Sequence, residues 1–408
     1  MGQDPDITIR AGWLIDGSGC EAVTGCLLTL SDGKISSVFE ITNDLEIPAS
    51  CLDFSECTIL PGIVDSHTHL TISGNLDPEI RNRQITDEYQ YAEPRIKKHI
   101  KDYLKHGVVV IRDGGDFHAH TLRYKNECHS SDESLTIFAA GNGLHRKGRY
   151  GQLLGMSLDP EKDLAQAILE DTGPGIDHIK VVNSGLNSLR EFGRETFPQF
   201  TGEELKRAVM AADSLGMKIM VHANGKLPVK LAVESGCHSI EHGFFMGDDN
   251  LKRMADKNVI WVPTACTMKA YMEISSPKTP EHHVAEKNLD HQIEQIQKAI
   301  TYGVKIALGT DAGCPGVFHG MSVMDEFGIL IRAGFSIEQA VMCATSNAIQ
   351  IPNDESNDGT LSQGMPATFV IVNGKPKDLP ESLSDVREVW INGRKVINAM
   401  PGKLREKS

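Results

Sequence analysis

Eight short apolar runs, separated by longer stretches, form the most constraining pattern in this chain of 408 residues. Several of the intervening stretches have helical character, such as Gly202–Leu215, which carries Glu203 and Glu204 in its first turn. Alternating strands and helices predict a parallel sheet, and eight such units predict an α/β fold, a (β/α)8 TIM barrel over residues 59–350. The predicted strands are Ile59–Val64, Val108–Arg112, Leu135–Ala140, His178–Val182, Lys218–Val221, Ser239–Glu241, Ile260–Pro263 and Lys305–Leu308.

The two ends of the chain share a β-rich sequence pattern, which differs from the strand–helix alternation of the middle. Residues 1–58 contain β-branched runs and an Asp-Gly turn after Leu27–Ser31, and residues 351–408 contain similar runs with Asn-Gly turns. Such dipeptides between β-rich runs are typical of hairpins. We therefore predict that the two ends together build one small β-sandwich domain beside the barrel.

The charge balance argues against some classes of partner. The formal net charge is −14, and an acidic chain has no general attraction for nucleic acid or for an anionic membrane surface. No apolar stretch reaches the roughly 18 residues of a membrane span, and the first residues do not resemble a signal peptide. Nine cysteines without a Cys-x-x-Cys motif favour free thiols in a reducing compartment. We expect a cytoplasmic protein that acts on a small molecule, and homo-oligomer formation is left open.

Polar side chains occur where the apolar strands should end. His67 and His69 are two residues apart, so they share one face of an extended strand. The carboxyl ends of barrel strands meet at one rim, where imidazole and carboxylate groups could hold a divalent metal ion. Hydrogen-bonded core residues are the other interpretation, but agreement at five strands favours a metal site. The candidate ligands are His67, His69, Lys180, His222, His242 and Asp311.

Lys180 lies within an apolar run, where a charged ammonium group would be costly to bury. Burial favours the neutral amine, and a neutral amine can combine with carbon dioxide to form a carbamate. The two oxygens of a carbamate can bridge two cations. The alternative is a lysine that pairs with a nearby carboxylate.

This pattern resembles the amidohydrolase superfamily, and the resemblance spans almost the whole chain. The chain is most similar to the imidazolonepropionase-like and prolidase-like members, in which a carboxylated lysine, here Lys180, bridges two metals. Two segments depart from the family: Gly141–Tyr150 differs from the segment that prolidases carry after strand 3, and Thr368 stands where an Asp is usual. The segments that carry the resemblance are Leu60–Leu70, Gly175–Val181, Val221–Gly225, Ile240–Gly243 and Gly309–Gly313.

The resemblance implies a cofactor of two divalent metal ions, with zinc expected and manganese, iron or nickel as alternatives. It implies that His67, His69 and Asp311 surround the more buried metal. His222 and His242 would hold the second metal. Asp311 would also be the catalytic general acid and base.

We expect a hydrolase that cleaves the C–N bond of an N-acyl amino acid, a dipeptide or a cyclic amide. Water activated between the metals would attack the carbonyl carbon, and Asp311 would pass a proton to the leaving nitrogen. An ester hydrolase of the phosphotriesterase or lactonase type could use the same metals and is the alternative. A deaminase is disfavoured because no acidic residue follows closely after His222, and a non-catalytic scaffold because all six ligands are present.

Loops after the predicted strands supply candidates for substrate binding. His145 could donate a hydrogen bond to a carbonyl or carboxylate group. Arg149 lies beside Arg146 and Lys147, which favours an anionic substrate, although a solvated basic loop is the alternative. The full set of candidates is His145, Arg149, Tyr150, Arg194 and His319.

Overall fold

The computed structural model describes residues 6–42, 47–128, 135–352 and 356–398, and it mixes strands and helices in an α/β fold. Both ends of this range are rich in strands, and the middle alternates strands with helices. The strands are β1 Ile7–Leu14, β2 Val23–Ser31, β3 Lys34–Glu40, β4 Leu52–Pro61, β5 Ile63–Thr68, β6 Val108–Asp113, β7 Thr136–Ala139, β8 Gly143–Arg146, β9 Gly155–Leu158, β10 His178–Val182, β11 Lys218–Ala223, β12 Ser239–His242, β13 Ile260–Val262, β14 Phe369–Asn373, β15 Val386–Ile391 and β16 Arg394–Asn398.

The helices follow local signals at their first residues. Helix α5 begins at Gly202 as predicted, because Thr201 and Glu204 satisfy each other's backbone N–H groups in a capping box. Helix α9 begins at Pro280, since Thr279 caps it and Pro280 suits its first turn. None of the helices in the described ranges is long and apolar enough to span a membrane. Their bounds are α1 Pro78–Thr86, α2 Tyr89–Lys105, α3 His120–Cys128, α4 Leu164–Asp171, α5 Gly202–Ser214, α6 Lys226–Glu234, α7 Asp248–Asp256, α8 Cys266–Ile274, α9 Pro280–Tyr302, α10 Ser322–Arg332, α11 Ile337–Ala344 and α12 Ser346–Ile349.

Strands from both ends of the chain join one sheet of seven strands, in the order β16-β15-β14-β4-β1-β2-β3. β4 is the link, because it pairs in parallel with β1 on one side and antiparallel with β14 on the other. This sheet has its own core, which includes Ile9, Leu28, Ile59, Phe369 and Trp390. Strands from both termini thus share one hydrogen-bonded sheet, and the arrangement of this sheet as a sandwich domain stays a prediction.

The central strands run parallel, and most follow one another in chain order, whereas β8 and β9 lie beside β10 in the order β10-β8-β9. β5, β6 and β7 pair in that order, and β10 to β13 pair in theirs. The amide of Asp177, just before β10, donates to the carbonyl of Ala139 at the end of β7, at 3.0 Å. The carboxyl ends of these strands therefore lie on the same side.

The predicted strand Lys305–Leu308 forms hydrogen bonds without becoming a continuous strand. Ile306 makes a parallel bridge to Trp261 of β13. On its other side, the carbonyl of Leu308 accepts from the amide of Ser66 in β5, at 2.9 Å. This segment thus lies between β13 and β5 and connects the last strand to the first.

The predicted strand Ile59–Val64 is wrong as one element, because Gly62 divides it between β4 and β5. β4 belongs to the seven-stranded sheet, whereas β5 pairs with β6. A Cβ at residue 62 would lie 2.2 Å from Val109 Cγ2 and 3.0 Å from Thr368 Cγ2. Glycine therefore allows the two sheets to approach closely at the point where the chain passes from one to the other.

We expect Gly62→Ala to lower the free energy of unfolding by about 1–3 kcal/mol, because the added methyl group would overpack this junction. Gly173→Ala is the matched control, since a Cβ there has nothing within 4 Å. Chemical denaturation of both variants measures the difference. Equal stabilities for the two variants would show that the junction is not tightly packed.

Candidate active site

A cavity of about 280 Å³ lies at the carboxyl ends of the parallel strands. All six candidate ligands line it: His67, His69, Lys180, His222, His242 and Asp311. A larger groove of about 720 Å³ lies at the opposite ends, where its lining includes Lys218 and Ile260, the first residues of β11 and β13. Parallel barrels and sheets hold their ligands at the carboxyl ends, so the smaller cavity is the candidate site.

Asp311 lies at the centre of the candidate ligands. Its Oδ1 is 3.6 Å from His67 Nε2 and 3.4 Å from His69 Nε2, and its Oδ2 is 4.0 Å from His242 Nδ1. Ligand atoms of His67, His242 and Asp311 all fall within 4.8 Å of one another. The two shorter separations exceed an ordinary hydrogen bond but match those of two ligands on one cation, about 3–3.5 Å for bonds near 2.1 Å. The donor set therefore fits a divalent metal ion.

The other candidate ligands border this group. The Nζ of Lys180 is 3.4 Å from His67 Nε2. The ring of His222 packs edge-on against that of His242, with centroids 4.5 Å apart, and His242 lies 4.9 Å from His67 in the same measure. The structure thus brings all six side chains, from five separate segments of the chain, into one cluster.

Each histidine has one ring nitrogen held by the protein. His67 Nδ1 bonds to Glu241 Oε2 at 2.7 Å, and His69 Nδ1 bonds to the carbonyl of Gly115 at 2.9 Å. These contacts leave the Nε2 atoms of both rings to face Asp311. An imidazole held in this way by a carboxylate or carbonyl is typical of metal-binding histidines.

The second pair of histidines is held similarly. His242 Nδ1 bonds to the hydroxyl of Thr264 at 2.7 Å, and His222 Nε2 bonds to the carbonyl of Gly185 at 3.1 Å. In each ring the opposite nitrogen has no hydrogen bond among the described residues. The four rings are therefore oriented by partners outside the cluster.

Burial keeps these imidazoles neutral, which is the form that binds metals. It lowers the pKa of His69 to about 4 and that of His222 to about 3, and the charge of Lys180 lowers both further. Burial also lowers the pKa of Lys180 to about 8, and it raises the pKa of Asp311 to about 6.

The backbone leaves the extended conformation at two of the candidate ligands. His242 has φ of +68° and Asp311 has φ of +58°, and Thr264, the partner of His242, has φ of +47°. Non-glycine residues rarely adopt this region, and such strain is concentrated at functional sites. The positive φ changes the direction of the side chains of His242 and Asp311 relative to the alternation of an extended strand.

A buried ion pair between Arg112 and Glu241 lies next to the six candidate ligands. The sequence alone did not predict this pair. Arg112 donates to Glu241 at 3.1 Å, and the side chains are 1% and 0% exposed. The hydroxyl of Ser239 donates to the same carboxylate and accepts from Arg112. Because Glu241 also binds His67, the pair connects the interior of the sheet to the candidate site.

The residues predicted to bind substrate are dispersed. Only Tyr150 lines the cavity, where its ring lies 5.2 Å from that of His222. His145 is buried and its Nδ1 bonds to the carbonyl of Arg146, whereas Arg194 is exposed on its loop. His319 lies behind the cluster, where it stacks on His99 at 3.6 Å and its Nε2 contacts the carbonyl of His69.

The basic loop after β8 binds other parts of the protein. Arg146 forms an ion pair with Glu204, and Lys147 forms one with Asp159 at 2.9 Å. Arg149 is exposed and donates to the carbonyl of Phe197. These contacts account for the loop without a ligand.

Further side chains reach the cavity from loops and helices that the sequence did not single out. They include Arg81 of α1, Tyr271 of α8 and Cys314, whose thiol donates to Asp311 Oδ2 at 3.2 Å. The remaining wall is mainly apolar. It includes Ile72, Ile85, Leu153, Leu186, Phe244 and Met268.

Comparison with known proteins gives consistent matches. The profile of the amidohydrolase family matches residues 58–396. Ochratoxinase from Aspergillus niger is 25% identical over 420 residues, which cover 95% of this chain and 85% of that protein. Imidazolonepropionase from Porphyromonas gingivalis is 23% identical over 358 residues, which cover 79% and 76%.

Solved structures are similar over nearly the full length. A Xaa-Pro dipeptidase with bound methionine in its active site gives a TM-score of 0.79 at 26% identity, and the match covers 96% of this chain and 99% of that chain. The ochratoxinase of A. niger gives a TM-score of 0.82 at 20% identity, with 97% and 96% covered, which supports the fold alone.

We expect Glu241→Gln to lower the free energy of unfolding by about 3–5 kcal/mol, because it leaves the buried guanidinium of Arg112 without a counter-charge. The double variant Arg112→Met/Glu241→Gln removes both charges and should be more stable than the single variant. Chemical denaturation measures both. A double variant no more stable than the single one would mean that charge balance is not what Glu241 provides.

Proposed function

This chain belongs to the amidohydrolase family and is a hydrolase that acts on carbon–nitrogen bonds, and we propose that it cleaves amides of small molecules at a centre of two divalent cations. The convergence of Asp311 Oδ1 with the Nε2 atoms of His67 and His69 is the observation that carries this proposal. Zinc is the proposed metal, with manganese, iron or nickel as alternatives that the same donors accept. The proposed ligands are His67, His69, Lys180, His222, His242 and Asp311.

A carboxylated Lys180 is proposed as the bridge between the two cations. Its side chain is buried, and it forms no ion pair with a carboxylate in the parts of the chain that the structure describes. That observation favours the carbamate over the lysine paired with a carboxylate. The amine would add to carbon dioxide with loss of one proton, and the resulting anion would offset the charge of the cations.

A closed (β/α)8 barrel is the proposed frame for this centre. Support comes from the ladders that join β5 to β7 and β10 to β13, and from the hydrogen bond between Asp177 and Ala139 that links the two groups. The segment at Ile306 and Leu308 then connects β13 back to β5. A closed ring would bring the carboxyl ends of all eight segments to one rim. The candidate ligands come from five of those segments.

When bound, the two cations would activate water and polarise the carbonyl group of the scissile amide. Asp311 would accept the proton of that water and deliver it to the leaving nitrogen. The thiol of Cys314 would hold one carboxylate oxygen of Asp311 in place. The apolar wall of the cavity would exclude bulk water from the reacting groups.

An assay of the metal-loaded protein tests this proposal. The panel holds N-acyl amino acids, dipeptides and cyclic amides beside matched esters, lactones and a phosphotriester. We expect release of the amine and the acid from at least one amide. Hydrolysis of esters alone, or release of ammonia by deamination, would overturn it.

Asp311→Asn should reduce kcat on the cleaved amide by about 10²–10⁴-fold, because the amide side chain cannot carry the proton. Asp290→Asn is the control, since Asp290 is 54% exposed and pairs with Arg332 away from the cavity. Circular dichroism should be unchanged in both variants. Full turnover by Asp311→Asn would rule out the proposed role.

A further inference from the structure

Arg81 lies in the wall of the candidate active site, although it belongs neither to the candidate metal ligands nor to the residues predicted to bind substrate. It belongs to α1, which follows the loop after β5, and it lines the same cavity as His69 and Asp311. Its NH1 donates to the carbonyl of Ser73 at 2.6 Å and to the carbonyl of Gly313. Two loops at the mouth of the cavity thus hold the guanidinium in one place.

The contacts of Arg81 leave its charge without a counter-ion. Both partners are neutral carbonyl groups, and within the described ranges the guanidinium forms no ion pair with a carboxylate. The side chain is only partly exposed, so water solvates it incompletely. A partly buried cation in a largely apolar cavity favours an anionic ligand, because an opposite charge would offset the cost of desolvation.

Two tyrosines add hydroxyl groups to the same cavity. Tyr150 and Tyr271 both line it, and neither hydroxyl has a hydrogen-bond partner among the residues described. The charge of Arg81 lowers the pKa of both, against the larger effect of burial, which raises it. All three side chains line one cavity, which a single ligand can occupy.

Two cations of the loop after β8 already have acidic partners. Arg146 and Lys147 pair with Glu204 and Asp159, outside the cavity. Of the described side chains that line the cavity, Arg81 and Lys180 are the cationic ones, and Lys180 lies against His67. Within the described part of the cavity, Arg81 is therefore the cation that stands apart from the candidate metal ligands.

We infer that Arg81 binds a free carboxylate of the substrate and determines specificity for it, with the hydroxyl groups of Tyr150 and Tyr271 as further donors. This inference rests on the proposed function, and it narrows the substrate to an amide that carries both a carboxylate and a compact apolar group. The apolar wall formed by residues such as Ile85, Leu153 and Met268 receives that group. The volume of about 280 Å³ leaves space for one such group beside the amide.

Matched substrates with and without the carboxylate test the inference. N-acetyl-L-leucine is compared with N-isopentylacetamide, and N-acetyl-L-phenylalanine with N-phenethylacetamide, so that each pair shares one amide bond. With the metal-loaded protein, we expect kcat/KM to be at least about tenfold higher for the member with the carboxylate. Equal values within both pairs would overturn the inference.

Substitution of Arg81 shows whether the preference for the carboxylate substrate comes from Arg81 or from the rest of the cavity. Arg81→Met should lower kcat/KM for the carboxylate substrate by about 10–100-fold, mainly through KM, and for its neutral counterpart by less than about threefold. Arg81→Lys should fall between, since it keeps the charge but loses the planar fork. Arg83→Met is the control, because Arg83 is exposed on the same helix and does not line the cavity. An equal loss on both substrates would assign Arg81 a structural role only.

Binding without turnover gives a second readout. Calorimetry of N-acetyl-L-leucine with Asp311→Asn should show tighter binding than with Asp311→Asn/Arg81→Met, by about tenfold or more. If the wild-type protein cleaves no amide at all, the proposed function fails, but this comparison still decides whether Arg81 binds the carboxylate. Equal affinities in the two variants would overturn the inference on their own.

Discussion

The carboxylate of Glu241 is the buried charge on which the candidate site depends. It is fully enclosed, so it must be neutralised by partners of its own, which are Arg112 and Ser239. Its other oxygen fixes Nδ1 of His67 and so turns Nε2 of that ring toward Asp311. A charge balance inside the sheet therefore sets the orientation of the first candidate ligand, and removal of any one partner would leave an uncompensated buried group.

Strand geometry and backbone strain complete the arrangement. Parallel strands deliver their last residues to one side, but the alternation of side chains would leave neighbouring residues pointing to opposite faces. The positive φ angles of His242 and Asp311 interrupt that alternation at two of the candidate ligands. The close approach at Gly62 holds the seven-stranded sheet against the start of β5, the strand that carries His67. The fold thus supplies both the convergence and the local strain that this proposed metal site needs.

Much of the parallel sheet could be predicted, because strand–helix alternation is a local pattern, and the ligand-type residues lie where those strands end. Three features could not. Arg112 and Glu241 are far apart in the chain, and nothing local signals that they meet. Arg81 reaches the cavity on a helix with no buried residues, so it carries no apolar pattern. The basic loop after β8 looked like an anion site because the acidic partners of Arg146 and Lys147, which are Glu204 and Asp159, lie outside the loop. In the first and third cases the missing information is a tertiary contact between charged groups, and for Arg81 it is the pair of contacts with the carbonyl groups of Ser73 and Gly313.

Metal titration of the metal-free protein tests the proposed two-cation centre most directly. Turnover of a cleaved amide should reach its maximum only at two equivalents of zinc per chain, and Lys180 should then carry a carbamate in the electron density. Lys180→Met should retain about one equivalent, because the bridge between the two cations would be missing. Full activity of the wild-type protein at a single equivalent, with an unmodified Lys180, would contradict the binuclear centre.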